Sequence, residues 1–249
     1  MAKIIAVCGK GGAGKTTTTA IIAKLLLNQP FRVLLIDADT AGGLTLALKI
    51  TPKKTIEQVQ KQIINELRKN ADKRELAYGI DYFLLSCLSE KSNLAFLAIG
   101  RPEDEGCYCR VNSLLKEAIE KLADKFDLVI IDAEAGIEQI NRRVMSSVDY
   151  LLIVSDPSVK GLFVASAIEK TARKIQPKIK AGLIINRTSP STELNELKNY
   201  AELNILGTVP EDPTIRKFDT KNLSFLDLPP CPALTSLAQI IQKENIISL

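Results

Sequence analysis

Residues 9–17 read Gly-Lys-Gly-Gly-Ala-Gly-Lys-Thr-Thr, which meets the Gly-x-x-x-x-Gly-Lys-Ser/Thr pattern of a phosphate-binding loop. Its glycines let the backbone curl until successive N–H groups point at phosphate oxygens. The amides of Gly11, Gly12, Ala13 and Gly14 belong to that cradle. Lys15 is placed to reach the β- and γ-phosphates, the Thr16 hydroxyl to ligate Mg²⁺, and Thr17 to touch the α-phosphate. Carboxylates complete the chemistry. The run from Val33 ends in Asp37-Ala-Asp39, and the run from Leu128 ends in Asp132. Asp37 is expected to help hold the metal shell and Asp39 to orient a water for attack on the γ-phosphate. Asp132 is expected to reach Mg²⁺, through water, and Gly136 four residues on to offer its N–H to the γ-phosphate. These residues together predict binding and hydrolysis of ATP to ADP and phosphate.

A second group carries different chemistry. Gly106-Cys107-Tyr108-Cys109 precedes a helical pattern over residues 112–125. In an extended segment Cys-x-Cys puts both sulfurs on one face, and thiols near a helix N-terminus have lowered pKa values. Two thiolates do not close a site, but a two-fold dimer brings four together, a donor set suited to Ni²⁺ or Zn²⁺. The same four sulfurs also suit an iron–sulfur cluster, and by itself the pair equally fits two packed thiols. The chain has no histidine, so imidazole cannot compete. Its cysteines number five, an odd and sparse set that predicts reduced thiols and a cytoplasmic protein. Cys8, Cys87 and Cys231 read as packing residues.

The elements that must position these groups follow from the apolar pattern. Strand-like runs occur at 3–8, 33–37, 82–87, 95–99, 128–132, 150–155, 182–186 and 205–209, with helical patterns between most of them. Helices are expected over 16–28 and 55–69. Alternation of this kind predicts an α/β fold of the P-loop NTPase type, mainly a parallel sheet with helices on both faces. No repeat or low-complexity linker divides residues 1–249, so one domain is expected. A net charge of +4 over 249 residues does not demand a polyanionic partner. No apolar stretch reaches spanning length, and the tail from Ala233 carries one lysine, Lys243, a poor basis for a membrane anchor. No membrane partner is expected and none is indicated in nucleic acid, although a basic patch assembled from scattered residues stays open.

The loop, Asp37-x-Asp39 and Asp132-Ala-Glu-Ala-Gly136 resemble the deviant Walker A ATPases, the group of MinD, ParA and nitrogenase iron protein. That resemblance covers nearly the whole chain. It implies that Lys10 reaches across a nucleotide-dependent homodimer to the partner's phosphates. It also implies that Asn186, followed by Arg187, reads adenine, and that the backbone of Pro210 and Glu211 in Gly207-Thr-Val-Pro-Glu-Asp212 borders the base. Where the family often has asparagine after the second aspartate of switch I, this chain has Gly43. A narrower resemblance rests on Gly100-Arg-Pro-Glu, Gly106-Cys-Tyr-Cys, Asn112, Glu138 and Asn141-Arg-Arg143. These look like the CooC/AcsF nickel-insertion ATPases, which mature carbon monoxide dehydrogenase and acetyl-CoA synthase. It implies that Cys107 and Cys109 bind Ni²⁺ or Zn²⁺ at the dimer interface. A MinD/ParA-like partitioning or positioning ATPase and an iron–sulfur-linked ATPase are the alternatives.

Overall fold

The computed structural model describes residues 2–68, 83–101, 119–133, 145–190, 192, 197 and 203–247. Cys107, Cys109, Gly136 and the other motif residues at 102–118 and 134–144 lie outside them.

Among the described residues eight strands form one sheet: β1 Lys3–Gly9, β2 Val33–Ala38, β3 Ser89–Lys91, β4 Leu94–Ala98, β5 Leu128–Ala133, β6 Tyr150–Ser155, β7 Lys180–Thr188 and β8 Ile205–Pro210. Their order is β3-β4-β2-β5-β1-β6-β7-β8. Every pairing is parallel except β3 with β4. The longer helices among the described residues are α1 Lys15–Leu26, α2 Gly43–Leu48, α3 Ile56–Arg68, α4 Val159–Ile175, α5 Pro213–Thr220 and α6 Pro232–Lys243, with a 3₁₀ turn at Phe225–Asp227. The predicted mainly parallel sheet with helices on both faces is what forms.

Central strands read as nearly unbroken apolar runs because both of their faces are covered. Side-chain alternation then divides them between two cores. Ile4, Ala6 and Cys8 of β1 join Leu34, Ile36, Val129 and Ile131 beneath α3 and α4. Ile5 and Val7 join Leu35, Ile130, Leu152 and Val154 beneath α1, α2 and α6. Cys8, Cys87 and Cys231 are free, buried thiols, as packing residues should be. Burial pushes Cys8 up to about 12 and Cys87 up to about 11, so both are inert at neutral pH.

Two readings of the chain need correction. The described part of the run 82–87 is not a strand: residues 83–87 are helical. Leu84, Cys87 and Leu88 are buried while Leu85 is 43% exposed, a spacing of three and four rather than two. The antiparallel strand β3, only Ser89–Lys91, was not expected at all. Of the helix expected at 112–125, residues 119–123 are helical and 112–118 lie outside the described residues.

Asp212 fixes the starts of two helices. Its Oδ1 accepts from Thr214 N at 2.8 Å, capping α5, and its Oδ2 accepts from Ala233 N at 3.0 Å at the start of α6. Burial alone would raise this carboxyl, but the Ala233 and Thr214 amides outweigh it and hold it below the usual carboxylate range. Asp212→Ala, which removes two caps together, should cost about 2 kcal/mol in urea denaturation, and Asp212→Asn less. Because the folded pKa is depressed, this contribution is present above the ordinary carboxylate value. It is lost as pH falls through the folded one.

Candidate functional site

The loop at residues 10–14 joins β1 to the N-terminus of α1, so its amides and the helix dipole share one focus. Two glycines there are sterically required. A Cβ on Gly9 would lie 2.0 Å from Val154 O of the neighbouring strand, and one on Gly14 would lie 2.2 Å from Asn186 Nδ2. Gly14 also has φ +94°, in the left-handed region. Ala13 N donates to Lys10 O at 3.2 Å, closing the turn. The buried Lys15 spans it from within, Nζ donating to Lys10 O at 3.2 Å.

Asp37 and Asp132 are register partners on β2 and β5, and both are fully buried. Asp37 Oδ2 accepts from Thr45 N and Thr45 Oγ1, each at 2.8 Å, which ties it to the first turn of α2. Burial raises its pKa against those hydrogen bonds. Asp132 Oδ1 lies 3.1 Å from Thr19 Oγ1, whereas its Oδ2 is buried without a hydrogen-bond partner. Burial pushes Asp132 up to about 7; the Thr16 hydroxyl opposes this and the nearby Asp37 adds to it. An orphaned buried carboxylate oxygen beside a second carboxylate and the Thr16 hydroxyl is a hard-oxygen donor set that fits Mg²⁺. Gly43 packs on this hydroxyl: a Cβ there would lie 3.4 Å from Thr16 Oγ1 and Cγ2. Asp39 sits at the same rim, its Oδ1 accepting from Ala41 N at 2.8 Å.

Lys10 is held within its own chain. Its Nζ lies 3.1 Å from Asp156 Oδ2, the two side chains being 29% and 26% exposed. Asp156 follows β6 directly and also accepts from Ser158 N at 3.1 Å and from the Ser158 hydroxyl. Ser158 in turn caps α4, accepting from Gly161 N at 3.0 Å. Burial alone would raise the Asp156 carboxyl, but Ser158 and Lys10 together hold it below its ordinary value.

Asn186 and Arg187 end the line from the loop. Asn186 Nδ2 donates to Ala13 O at 2.9 Å, and Arg187 NH1 donates to Gly12 O at 3.0 Å. Both border a cavity of about 280 Å³ together with Thr17, Pro210 and Glu211. The structure thus gathers Lys10, Gly11, Gly12, Ala13, Gly14, Lys15, Thr16, Thr17, Asp37, Asp39, Asp132, Asn186, Arg187, Pro210 and Glu211 around one cleft at the carboxyl ends of the strands. Sequence reasoning missed Thr19, Thr45 and Asp156. Asp156 had a usable signal, because it directly follows a parallel strand, at the same strand ends where Asp37 and Asp132 lie. Among the described residues no group of three or more His, Cys, Asp or Glu is arranged to hold a metal. No helix among them is long and apolar enough to cross a membrane.

Residues 2–185 match the AAA_31 family, described as an AAA domain. An uncharacterized ATP-binding protein of Methanocaldococcus jannaschii is 35% identical over 236 residues, 91% of each chain. The carbon monoxide dehydrogenase accessory protein CooC of Rhodospirillum rubrum is 28% identical over 237 residues, 91% of this chain and 90% of its own. Among solved structures, the septum site-determining protein MinD of Pyrococcus horikoshii, complexed with Mg-ADP, superposes with a TM-score of 0.73. That match is 21% identical and covers 98% of this chain and 96% of the other.

The carboxylate pair generates a test. With a folded pKa near 7 against an ordinary 3.8, charged Asp132 destabilises the metal-free protein. The penalty is absent at low pH, grows as pH rises from about 4 to about 7 and is constant above. Asp132→Asn should therefore raise the urea midpoint of metal-free protein, more at pH 8 than at pH 5. The same variant should lower Mg²⁺-dependent hydrolysis about 100-fold.

Proposed function

The chain belongs to the AAA_31 family of AAA domains, as one of the MinD/ParA-like P-loop ATPases, and from that premise we propose that its nucleotide cycle holds and releases a nickel ion. The loop amides and Lys15 bind the phosphates, and Asp39 orients the attacking water. Thr16, Asp37 and Asp132 would hold Mg²⁺, which when bound neutralises charge on the β- and γ-oxygens. Lys10 is held by a partly exposed ion pair, worth about 1 kcal/mol or less. It can exchange Asp156 for the phosphates of a second copy at little expense.

Cys107 and Cys109 of two such copies supply four thiolates for Ni²⁺ or Zn²⁺ as cargo. The observation that carries this reading is Cys107-x-Cys109 in a chain without histidine; the similarity to CooC supports it. The pair lies in sequence between β5 and β4, whose last residue Ala98 is the register partner of Asp37. Loss of the γ-phosphate would thus be felt where that connection begins, loosening the sulfur cage. Carbon monoxide dehydrogenase/acetyl-CoA synthase is the client that this chemistry and similarity suggest. The likeness of fold to MinD equally supports a positioning ATPase without cargo.

Equilibrium nickel binding in the presence of ADP or an ATP analogue separates the two. The double variant Cys107→Ala/Cys109→Ala should lose the one nickel per dimer while keeping ATPase activity. Unchanged nickel affinity in that variant would sink the carrier reading. Lys15→Ala should abolish hydrolysis, and Lys10→Ala should lower hydrolysis far more than nucleotide affinity, as measured by calorimetry alongside turnover.

A further inference from the structure

We propose that α2 is a strut that carries the state of the Asp37–Asp132 pair to the 3₁₀ turn at Phe225–Asp227, with Ser224 as the positioning residue at its far end. The helix is six residues long and lies between two left-handed residues, Gly42 at φ +69° and Lys49 at φ +55°. So short a helix between two sharp bends moves as one body. Its first turn is tied to Asp37, whose Oδ2 accepts from Thr45 N and Thr45 Oγ1 at 2.8 Å each. Its last residue is tied elsewhere: Leu48 O accepts from Ser224 Oγ at 2.9 Å, across 176 positions of chain. The Ser224 hydroxyl also accepts from Leu226 N at 3.3 Å, capping the 3₁₀ turn.

The turn is held from a second side as well. Leu226 O accepts from Lys24 Nζ of α1 at 2.7 Å. The turn therefore sits between the helix that supplies Thr16 and the helix that grips Asp37, and it registers a displacement of one against the other. Such a displacement has a cause. Oδ2 of Asp37 already accepts two hydrogen bonds, as many as it has lone pairs, so a cation taking that oxygen displaces a Thr45 donor. There is also room for it. A cavity of about 390 Å³ separates Gly43, Leu46 and Ala47 of α2 from Phe218, Leu223 and Phe225. Leu46 at its edge is 60% exposed. Leu44 and Leu48 are the buried residues of α2, so the helix can pivot on these two without opening the core. Its far end then moves against Ser224, and the 3₁₀ turn and the adjoining wall of the cavity follow.

The inference is independent of nickel carriage and rests on Asp37 and Asp132 as the Mg²⁺ carboxylates. The chain has no tryptophan, so Leu223→Trp in the full chain places a lone fluorophore at the cavity wall beside Ser224. Adding Mg²⁺ to this protein saturated with ADP should shift its emission. Ser224→Ala in the same background should lose the shift and Ser224→Thr, which keeps the hydroxyl, should restore it. Thr45→Val, which keeps the amide and removes the hydroxyl, should diminish it. Amide exchange at Leu226 gives a second reading in the chain without the fluorophore: Mg²⁺ with ADP should change its rate about fivefold, the worth of one hydrogen bond, and not in Ser224→Ala. Calorimetry separates the two ways of failing. If Mg²⁺ tightens ADP binding while emission and exchange stay unchanged, the metal assignment stands and the strut is overturned. If Mg²⁺ leaves ADP affinity unaltered, the metal assignment fails and the proposal with it. An undiminished shift in Ser224→Ala or Thr45→Val also overturns it.

Discussion

Asp37 and Asp132 are buried side by side on adjacent strands, and much of the surrounding structure responds to that. Two like charges in a low-dielectric interior repel each other and lose their hydration. In the metal-free chain the pair is held by the hydroxyls of Thr19 and Thr45 and the amides of Thr45 and Asp39, and one oxygen remains unmatched. The strand order places β5 between β2 and β1, so this unsatisfied pair stands directly beside the phosphate loop. A divalent cation bound there would settle the pair. Stability withheld from the resting fold would then be returned on binding, and the site is coupled to α2 through Thr45. Neighbouring parts obey the same economy: Lys15 and Lys10 each hold a modest local partner that a phosphate can replace.

Much of this could be read from the chain. The loop at residues 9–17 and the aspartates that end β2 and β5 carry their own local signal, and parallel strands covered on both faces announce themselves as apolar runs. What escaped was either ambiguous or remote. The segment 83–87 is apolar and short, and such runs do not distinguish strand from helix until burial of Leu84 and Cys87 with exposure of Leu85 reveals the period. Asp156 precedes proline and serine, a sequence that reads as a turn, and its bond to Lys10 joins residues 146 positions apart. The contacts of Asn186 and Arg187 to loop carbonyls span still longer separations. Topology creates these pairs, and no local pattern encodes them. The cysteine pair is the converse case, legible only in the sequence.

Thr45, Asp156 and Asp212 share one physical role. Each carboxylate or hydroxyl joins a helix N-terminus to a group in or beside the cleft: Thr45 of α2 to Asp37, Ser158 of α4 through Asp156 to Lys10, and Asp212 to both α5 and α6. The helices are thus fastened at the end where ligands bind, in keeping with the placement of sites in open parallel sheets.

The rims of the sheet carry a last consequence. One ends in β3, just Ser89–Lys91, with Glu90 and Lys91 exposed. The other ends in β8, which is irregular in register against β7 and closes at Pro210, a residue without an amide donor. Short length, charge, irregular pairing and proline are the devices by which proteins prevent strands from adding to an open edge. Main-chain zipping between copies is therefore disfavoured at both flanks. Any contact between copies would be left to side chains, which can part again within a single turnover, as a continuous intermolecular sheet could not.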